Sequence, residues 1–331
     1  MHIPRNVTRQ PDSTCPNRIH RGGFNTYHAY YLAAYWASIR VEPDIKRYIR
    51  HLEIRTRGQV DSMMSGAYSS TFRGRGLEFA EVRPYQPGDD VRAIDWNVSA
   101  RMGETYVKLF EEEREQTIML AVDVSGSQAF GSAHATKRTT AAEAAALVAF
   151  TALHQHDAVG LLLFTDRIEA LLPPRNTRRH VLHALQRLLT CEPDHTRTNL
   201  NVPLRYLLNS LERRATVLFI SDFMDTQYTD LLHATARRHD FIGAHVFDPG
   251  EATLPPHGLL DLTDPETGTP HTVDARDPSV QRRLQTEHDR RHRRIEDMLH
   301  TANAGHIALP TDGDVADALV TFFRHRRPYR A

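Results

Sequence analysis

Cysteine, net charge and long apolar runs are all scarce in this sequence. Its 331 residues include only two cysteines, Cys15 and Cys191, which excludes a disulfide-dense scaffold and favours a reduced compartment. Lys and Arg together number 41, as do Asp and Glu, so net charge gives no support to nucleic acid or an anionic membrane as partner. The longest apolar runs fall far below the ~20 residues of a membrane-spanning helix. We therefore expect a cytoplasmic protein with no transmembrane segment and no nucleic-acid partner.

Sequence signatures of a zinc site or a leader are lacking as well. The 20 histidines are scattered, and none belongs to an HExxH motif or to paired zinc-ligand spacing, so we expect most of them on the solvated surface. The first residues lack the apolar core of a signal peptide. Residues 1–41 are polar and without a clear period, which predicts a poorly ordered tail.

Strand and helix patterns alternate over residues 116–331. Continuous apolar runs such as 118–122, 158–164 and 215–220 are typical of strands buried on both faces, and helical patterns separate them. This order predicts an α/β fold: a doubly wound, mostly parallel sheet with helices on both faces, plus a hairpin near 258–275. The first helix after the opening strand is Ala-rich, and Thr139 or Thr140 is its expected cap.

A smaller N-terminal addition is expected over residues 42–115. Apolar positions at helical spacing predict a helix or helix pair from 42 to about 64. A strand is expected within 104–115, before an exposed acidic turn. The addition therefore combines a helical and a β segment.

The stretch QTIMLAVDVSGS, residues 116–127, is the most informative part of the chain. A buried strand ends at Asp123, and two serines, Ser125 and Ser127, follow on a short loop that Gly126 allows to turn. Loops at the carboxyl ends of parallel strands form the ligand crevice of such a sheet. Three oxygen side chains there suit a hard divalent cation. The alternative is an ordinary strand-to-helix turn in which Asp and Ser only cap backbone groups.

Two further segments carry oxygen side chains in a similar position. A second apolar strand ends in Ser221 and Asp222, with Asp225 close behind. A loop between two predicted helices contains Thr198. These segments extend the candidate site beyond one strand end.

The segment around the Pro-Gly turn at Pro87 and Gly88 is dense in Arg and Asp. Such a segment forms either an internal network of ion pairs or an exposed recognition surface, and we favour the internal network because opposite charges lie close in sequence. The candidate partner-binding residues are Arg83, Asp89, Asp90, Arg92, Asp95, Trp96 and, from the second strand end, Asp225.

The motifs DVSGS, TNL and SD, in this order, resemble the metal-ion-dependent adhesion site (MIDAS) of von Willebrand factor A domains. The positions that match its Asp-x-Ser-x-Ser, Thr and Asp ligands are Asp123, Ser125, Ser127, Thr198 and Asp222. The resemblance implies that the serines contact Mg²⁺ directly, and that Thr198 and the aspartates bind directly or through water. Mn²⁺ and Ca²⁺ are the alternative ions.

A longer signature, from Gly74 to Arg101, resembles the bacterial family catalogued as domain of unknown function 58. It reads GxGxEFxxxRxYxPGDDxRxIDWxxSAR, and ISDF at 220–223 and DPETG at 264–268 also fit that family. Gln128 stands where many of its members carry Met. The family implies a von Willebrand A-like core and a MoxR-type AAA+ ATPase as partner in protein-complex maturation.

A metal site of neutral hydroxyls and two carboxylates leaves a coordination position open and keeps the ion electrophilic. The leading hypothesis is therefore a non-enzymatic, Mg²⁺-dependent protein-interaction module whose partner supplies an exposed Asp or Glu. One alternative is a Mg²⁺-dependent phosphohydrolase with Asp123 as nucleophile, although Ser125 stands where the usual second acid would be. The other is a structural scaffold in which the ion only holds loops together.

Overall fold

The computed structural model describes residues 47, 49–50, 52–53, 78–111, 115–132, 135–225, 227–255, 258–263 and 269–326. All of these belong to one compact unit, Ile45–Ala331. The tail expected at 1–41 lies outside the described residues, and the expected division between 115 and 116 stays a prediction. Within the described part of the chain, no helix is both long and apolar enough to span a membrane.

The first described elements belong to the N-terminal addition. Ile49 and Leu52 are helical and buried with the sheet core, in agreement with the helix predicted from 42 to about 64, most of which lies outside the described residues. Strands β1 (Glu78–Pro84) and β2 (Tyr106–Glu111) then pair antiparallel, and helix α1 (Trp96–Met102) connects them. The sequence predicts the strand at β2 but neither β1 nor α1.

The centre of the fold is a six-stranded sheet in the order β10-β7-β6-β3-β4-β5. Its pairings are parallel except for the antiparallel pair β4 and β5. This confirms the predicted α/β class with a mostly parallel sheet. The strands are β3 (Thr117–Asp123), β4 (Ala158–Phe164), β5 (Ile168–Arg175), β6 (Thr216–Ser221), β7 (Asp240–Phe247) and β10 (Gly305–Pro310). Between β7 and β10, β8 (Leu259–Thr263) and β9 (Pro270–Asp274) form the hairpin predicted near 258–275.

Six helices of the described residues cover the two faces of this sheet. They are α2 (Lys137–His154), α3 (Arg178–Thr190), α4 (Asn201–Ser210), α5 (Thr229–Arg238), α6 (Pro278–Thr301) and α7 (Val315–His325). Apolar residues of α2, α3 and α7 share one buried cluster, and those of α4, α5 and α6 share another. The predicted arrangement of helices on both faces is thus confirmed.

Alternation along β3 fixes the direction of its last side chain. Leu120 and Val122 pack in the cluster with α2, whereas Met119 and Ala121 pack in the cluster with α4 and α6. Because successive strand side chains point to opposite faces, Asp123 belongs with Met119 and Ala121.

Helix α2 begins earlier than the sequence predicts. Thr136 is its N-cap, with a side-chain oxygen that accepts a hydrogen bond from the N–H of Thr139 at 3.1 Å, so the expected cap at Thr139 or Thr140 is wrong. Lys137 therefore lies in the first turn, a position where the helix dipole disfavours a cation. Its ammonium is stabilised instead by carboxylates from distant parts of the chain, described below.

His239 and His245, which are 0% and 1% exposed, are exceptions to the expectation that most histidines lie on the solvated surface. His245 lies in β7, and its ring lies 4.6 Å from that of His292 in α6. A histidine cluster, made of His245, His288, His292 and His306, thus adds to the apolar packing between the sheet and α6.

Candidate metal centre

The carboxyl ends of β3 and β6 lie side by side in the sheet. Val122 pairs with Ile220, so the next residues, Asp123 and Ser221, are neighbours on the same face. The hydroxyl of Ser221 donates a 2.7 Å hydrogen bond to Oδ2 of Asp123. Both side chains are buried. Parallel strand ends from distant parts of the chain therefore supply adjacent oxygen atoms, as the sequence predicts for Asp123.

The loop after β3 folds back over its own carboxylate. The N–H of Ser125 donates to Oδ1 of Asp123 at 3.0 Å, and the hydroxyl oxygens of Ser125 and Ser127 lie 3.2 Å apart. Ser125 and Ser127 are 2% and 6% exposed, within a short 3-10 turn at Gly126–Ala129. Three of the five expected ligands thus lie together, Asp123 at the end of β3 and Ser125 and Ser127 on the loop that follows.

Thr198 lies on a loop that is anchored on both sides. Next to it, the carbonyl oxygen of Thr196 accepts a hydrogen bond from the N–H of Gly126 at 2.8 Å, and the N–H of Asn199 donates to the carbonyl of Thr165 at 3.2 Å. Thr198 itself is half-buried. The loop is therefore held against the segment that carries Ser125 and Ser127.

Asp222 is 2% exposed and bound to a buried cation. Its Oδ2 accepts a 2.7 Å hydrogen bond from Nζ of Lys137, which donates equally to Oε1 of Glu251 at 2.7 Å. Lys137 is 1% exposed. Burial opposes its charge, but the neighbouring Asp222 and Glu251 carboxylates raise its pKa overall.

Sequence reasoning missed Lys137 and Glu251, and it placed Ser221 at the second strand end without giving its hydroxyl a role. The sequence gives one weak indication for Lys137: it lies in the first turn of α2, where the helix dipole disfavours a cation and no acidic residue is present to compensate. Its carboxylate partners lie 85 and 114 residues away in sequence. No local pattern connects them.

Asp123 is the most perturbed carboxyl of the site. Burial and, after it, the nearby Asp222 carboxylate raise the pKa of Asp123 to about 7, because hydrogen bonds from Ser125 and Ser221 oppose them only in part. Its two oxygens accept bonds from an amide and a hydroxyl, both neutral. The site is therefore short of positive charge on the side of Asp123, and a bound cation would supply it.

The expected donor set consists of oxygen atoms, which suit a hard cation. Within the described residues, no three His, Cys, Asp or Glu side chains lie together in a way that could hold a metal. The expected ligands contain only two carboxylates, and the others are hydroxyls. Mg²⁺ and similar ions accept such oxygen ligands. Asp123, Ser125, Ser127, Thr198 and Asp222 would hold it, and this ligand set stays a prediction.

Two of the candidate partner-binding residues pair with each other. Nη1 and Nη2 of Arg83 donate to the two carboxylate oxygens of Asp89 at 2.8 and 2.7 Å. This bidentate pair satisfies both charges within the segment, and both side chains stay partly exposed. Asp90 and Asp95 instead cap helical turns: Asp90 accepts from the N–H of Arg92, and Asp95 accepts from those of Asn97 and Val98.

Other members of that set have different surroundings. Trp96 is 70% exposed, and the exposed side chains Val91 and Met102 belong to the same segment. Arg92 is also exposed. Asp225 binds backbone, since its Oδ2 accepts from the N–H of Leu200 at 2.9 Å. That bond joins the loop after β6 to the start of α4, next to Thr198.

Comparisons with known proteins identify relatives but no established activity. A family profile described as "Protein of unknown function DUF58" matches residues 81–294. An uncharacterized protein of Mycobacterium tuberculosis is 31% identical over 293 residues, covering 86% of this chain and 91% of the relative. The uncharacterized protein YeaD of Bacillus subtilis is 45% identical over 51 residues, covering 15% of this chain and 13% of its own.

Among solved structures, the conserved hypothetical protein BatB from Bacteroides thetaiotaomicron aligns with a TM-score of 0.41 and 13% identity. The alignment covers 62% of this chain and 96% of BatB.

Proposed function

This chain belongs to the protein family of unknown function DUF58, and from that premise we propose that it is a Mg²⁺-dependent, non-enzymatic protein-interaction module. The observation that carries the proposal is the meeting of Asp123, Ser221 and the Ser125–Ser127 loop at two adjacent strand ends. Neutral hydroxyls surround a buried carboxylate there, and these oxygen atoms suit a divalent cation.

The bound ion would offer an open position to a carboxylate of another protein. Ser125, Ser127 and Thr198 contribute no charge, so the two aspartates leave a divalent ion electrophilic. A partner that presents an exposed Asp or Glu fits this chemistry. We propose a MoxR-type AAA+ ATPase and its client as the partners, acting with this chain in the cytoplasm during assembly or maturation of a protein complex.

Metal binding and partner binding are tested together. Isothermal titration with Mg²⁺ compares the parent with Asp123→Asn, and Asp230→Asn serves as a control because Asp230 is exposed on α5. Co-purification with the MoxR-type ATPase of the same genome is then measured in Mg²⁺ and in chelator. We expect Asp123→Asn and chelator each to abolish capture, and Asp230→Asn to leave it unchanged. Equal capture by the parent and Asp123→Asn would overturn the proposal.

The phosphohydrolase alternative makes a different prediction for the same residue. A nucleophilic Asp123 must reach a phosphate, yet it is 1% exposed and both of its oxygens accept hydrogen bonds. Turnover of a phosphate ester by the parent that vanishes in Asp123→Asn would establish the enzyme instead.

The scaffold alternative is separated by chelation. A metal that only holds loops together predicts a large fall in melting temperature when it is removed. The interaction module predicts lost capture of the partner as the main effect. Measuring both quantities on one sample distinguishes the two functions.

A further inference from the structure

Lys137 brings a second cation to the candidate metal centre. Its ammonium lies 2.7 Å from Oδ2 of Asp222, one of the expected ligands, and the pair is buried with both side chains 2% exposed. Ion pairs in such surroundings are only weakly screened by solvent. A metal ion bound to Asp222 would therefore be repelled by this ammonium and would compete with it for the carboxylate.

Both oxygens of Asp222 accept hydrogen bonds in this arrangement. Oδ2 accepts from Lys137 at 2.7 Å, and Oδ1 accepts from the N–H of Met224 at a longer 3.4 Å. The short bond is charged and the long one is neutral, so Lys137 is the stronger competitor. Coordination through Oδ2 requires a change in this pair, and coordination through Oδ1 places the ion beside the Lys137 ammonium, which repels it.

Glu251 gives Lys137 a second carboxylate to bind. Oε1 of Glu251 accepts from Nζ of Lys137 at 2.7 Å, and Oε2 lies 3.7 Å from Nη1 of Arg291 in α6. Lys137 can therefore stay paired and buried when Asp222 turns to another cation. Glu251 in turn keeps Arg291 if Lys137 is removed.

We propose that Lys137 is a resident cation that competes with the metal ion for Asp222, while Glu251 holds Lys137 when the ion takes Asp222. This inference rests on the proposed function, since it deepens the account of the same site. Lys137 then acts as a positioning residue that sets metal affinity without touching the ion. The expected consequence is a site that releases its ion easily.

The test is a Mg²⁺ titration of two variants whose effects have opposite signs. Lys137→Met removes the competitor, and we expect Mg²⁺ to bind about tenfold more tightly or better. Glu251→Gln removes the second carboxylate that contacts Lys137. Lys137 then holds Asp222 more strongly, and we expect Mg²⁺ to bind several-fold more weakly. A merely structural role for the cluster predicts weaker binding in both variants. The matched control is Glu212→Gln, at an exposed position after α4.

Loss of the lysine could also unfold the protein, and this outcome is informative. The inference expects Lys137→Met to melt at lower temperature in chelator than the parent, and to gain more from Mg²⁺ than the parent does. A variant that stays unfolded in saturating Mg²⁺ overturns the inference, as does a Glu251→Gln variant that binds Mg²⁺ as tightly as the parent.

The same titration separates this inference from the proposed function. A parent that binds Mg²⁺ and a Lys137→Met variant that binds no more tightly overturn the inference and leave the function standing. A variant that binds Mg²⁺ when the parent does not supports the inference and overturns the function as stated. Absence of binding in both overturns both.

Discussion

Ser221 and Asp123 lie at the ends of adjacent parallel strands and share a 2.7 Å hydrogen bond in which the serine hydroxyl donates. The same hydroxyl oxygen accepts from the N–H of Phe223 at 3.0 Å. One side chain therefore orients the carboxylate of β3 and the turn that follows β6. This turn contains Phe223, whose φ of 52° lies in the left-handed region that non-glycine residues seldom adopt.

Ser221→Ala removes a donor and an acceptor from a buried site. We expect a loss of about 1–3 kcal/mol in the free energy of unfolding, because the Asp123 oxygen and the Phe223 N–H both lose a partner. Chemical denaturation in chelator measures it. Ser210→Ala, at an exposed position in α4, is the control and should change stability little. Equal stability of Ser221→Ala and the parent would show that the bond contributes nothing.

The raised pKa of Asp123 predicts how stability depends on pH when no metal is bound. Between the ordinary value of 3.8 and about 7, the folded protein keeps a proton that the unfolded chain has released. Stability therefore falls as pH rises through this window. Asp123→Asn carries no such charge, so in chelator we expect it to exceed the parent in stability at pH 8. The gain is on the order of 2–4 kcal/mol and shrinks towards pH 5.

Thermal denaturation across this pH range measures the effect. Addition of Mg²⁺ at pH 8 should then stabilise the parent and leave Asp123→Asn unchanged, because only the parent offers the ion a carboxylate there. A constant difference between the two proteins from pH 5 to 8 would contradict the assigned pKa.

Gln128 predicts a stabilising substitution beside the site. The side chain is 1% exposed, and neither atom of its amide has a hydrogen-bond partner among the described residues. Gln128→Met replaces the amide with a flexible apolar chain of similar length. We expect the free energy of unfolding to rise by about 1–3 kcal/mol.

Denaturant titration of Gln128→Met checks this, with the exposed Gln86→Met as control. Mg²⁺ affinity should stay close to that of the parent, because Gln128 is outside the expected ligand set. A variant less stable than the parent would mean that the amide does have partners in solution.

Sequence alone predicted the sheet because its strands are nearly pure apolar runs. The run from Ile118 to Val122 is buried throughout, and the parallel order of β3, β4, β6 and β7 follows from the helices between them. Asp123 could be placed at a strand end for the same reason. The polar N-terminal addition gave no such signal, so β1 and α1 were missed.

Side-chain partners across the fold could not be predicted. The cap of α2 at Thr136 was missed because Lys137 and Arg138, which follow it, do not look like a helix start. The contact of Lys137 with Asp222 depends on where α2 meets the end of β6, which is a property of the assembled fold. The contact between His245 and His292 could not be predicted for the same reason, because one residue lies in a strand and the other in a helix distant in sequence.

The histidine cluster between the sheet and α6 predicts a loss of stability in acid. Burial lowers the pKa of His292 to about 4, with His288 and Arg291 adding to the effect, and burial also lowers the pKa of His245 and His306. Between about pH 6.5 and 4, the unfolded chain therefore binds protons at these histidines while the folded protein keeps them neutral. Stability contributed by the neutral rings is present above this window and is lost as pH falls through it.

His292→Phe isolates this contribution, because His292 already packs edge-on at 4.1 Å from the ring of Phe247 and an aromatic ring can replace it. Between pH 6.5 and 5, we expect the free energy of unfolding to fall by on the order of 1–2 kcal/mol less in the variant than in the parent. His300→Phe, on the exposed side of the same helix, is the control and should follow the parent. Since Asp123 has the opposite pH dependence, the difference between variant and parent is the informative quantity. Identical acid profiles for parent and His292→Phe would show that the pKa of His292 is the same in the folded and the unfolded protein.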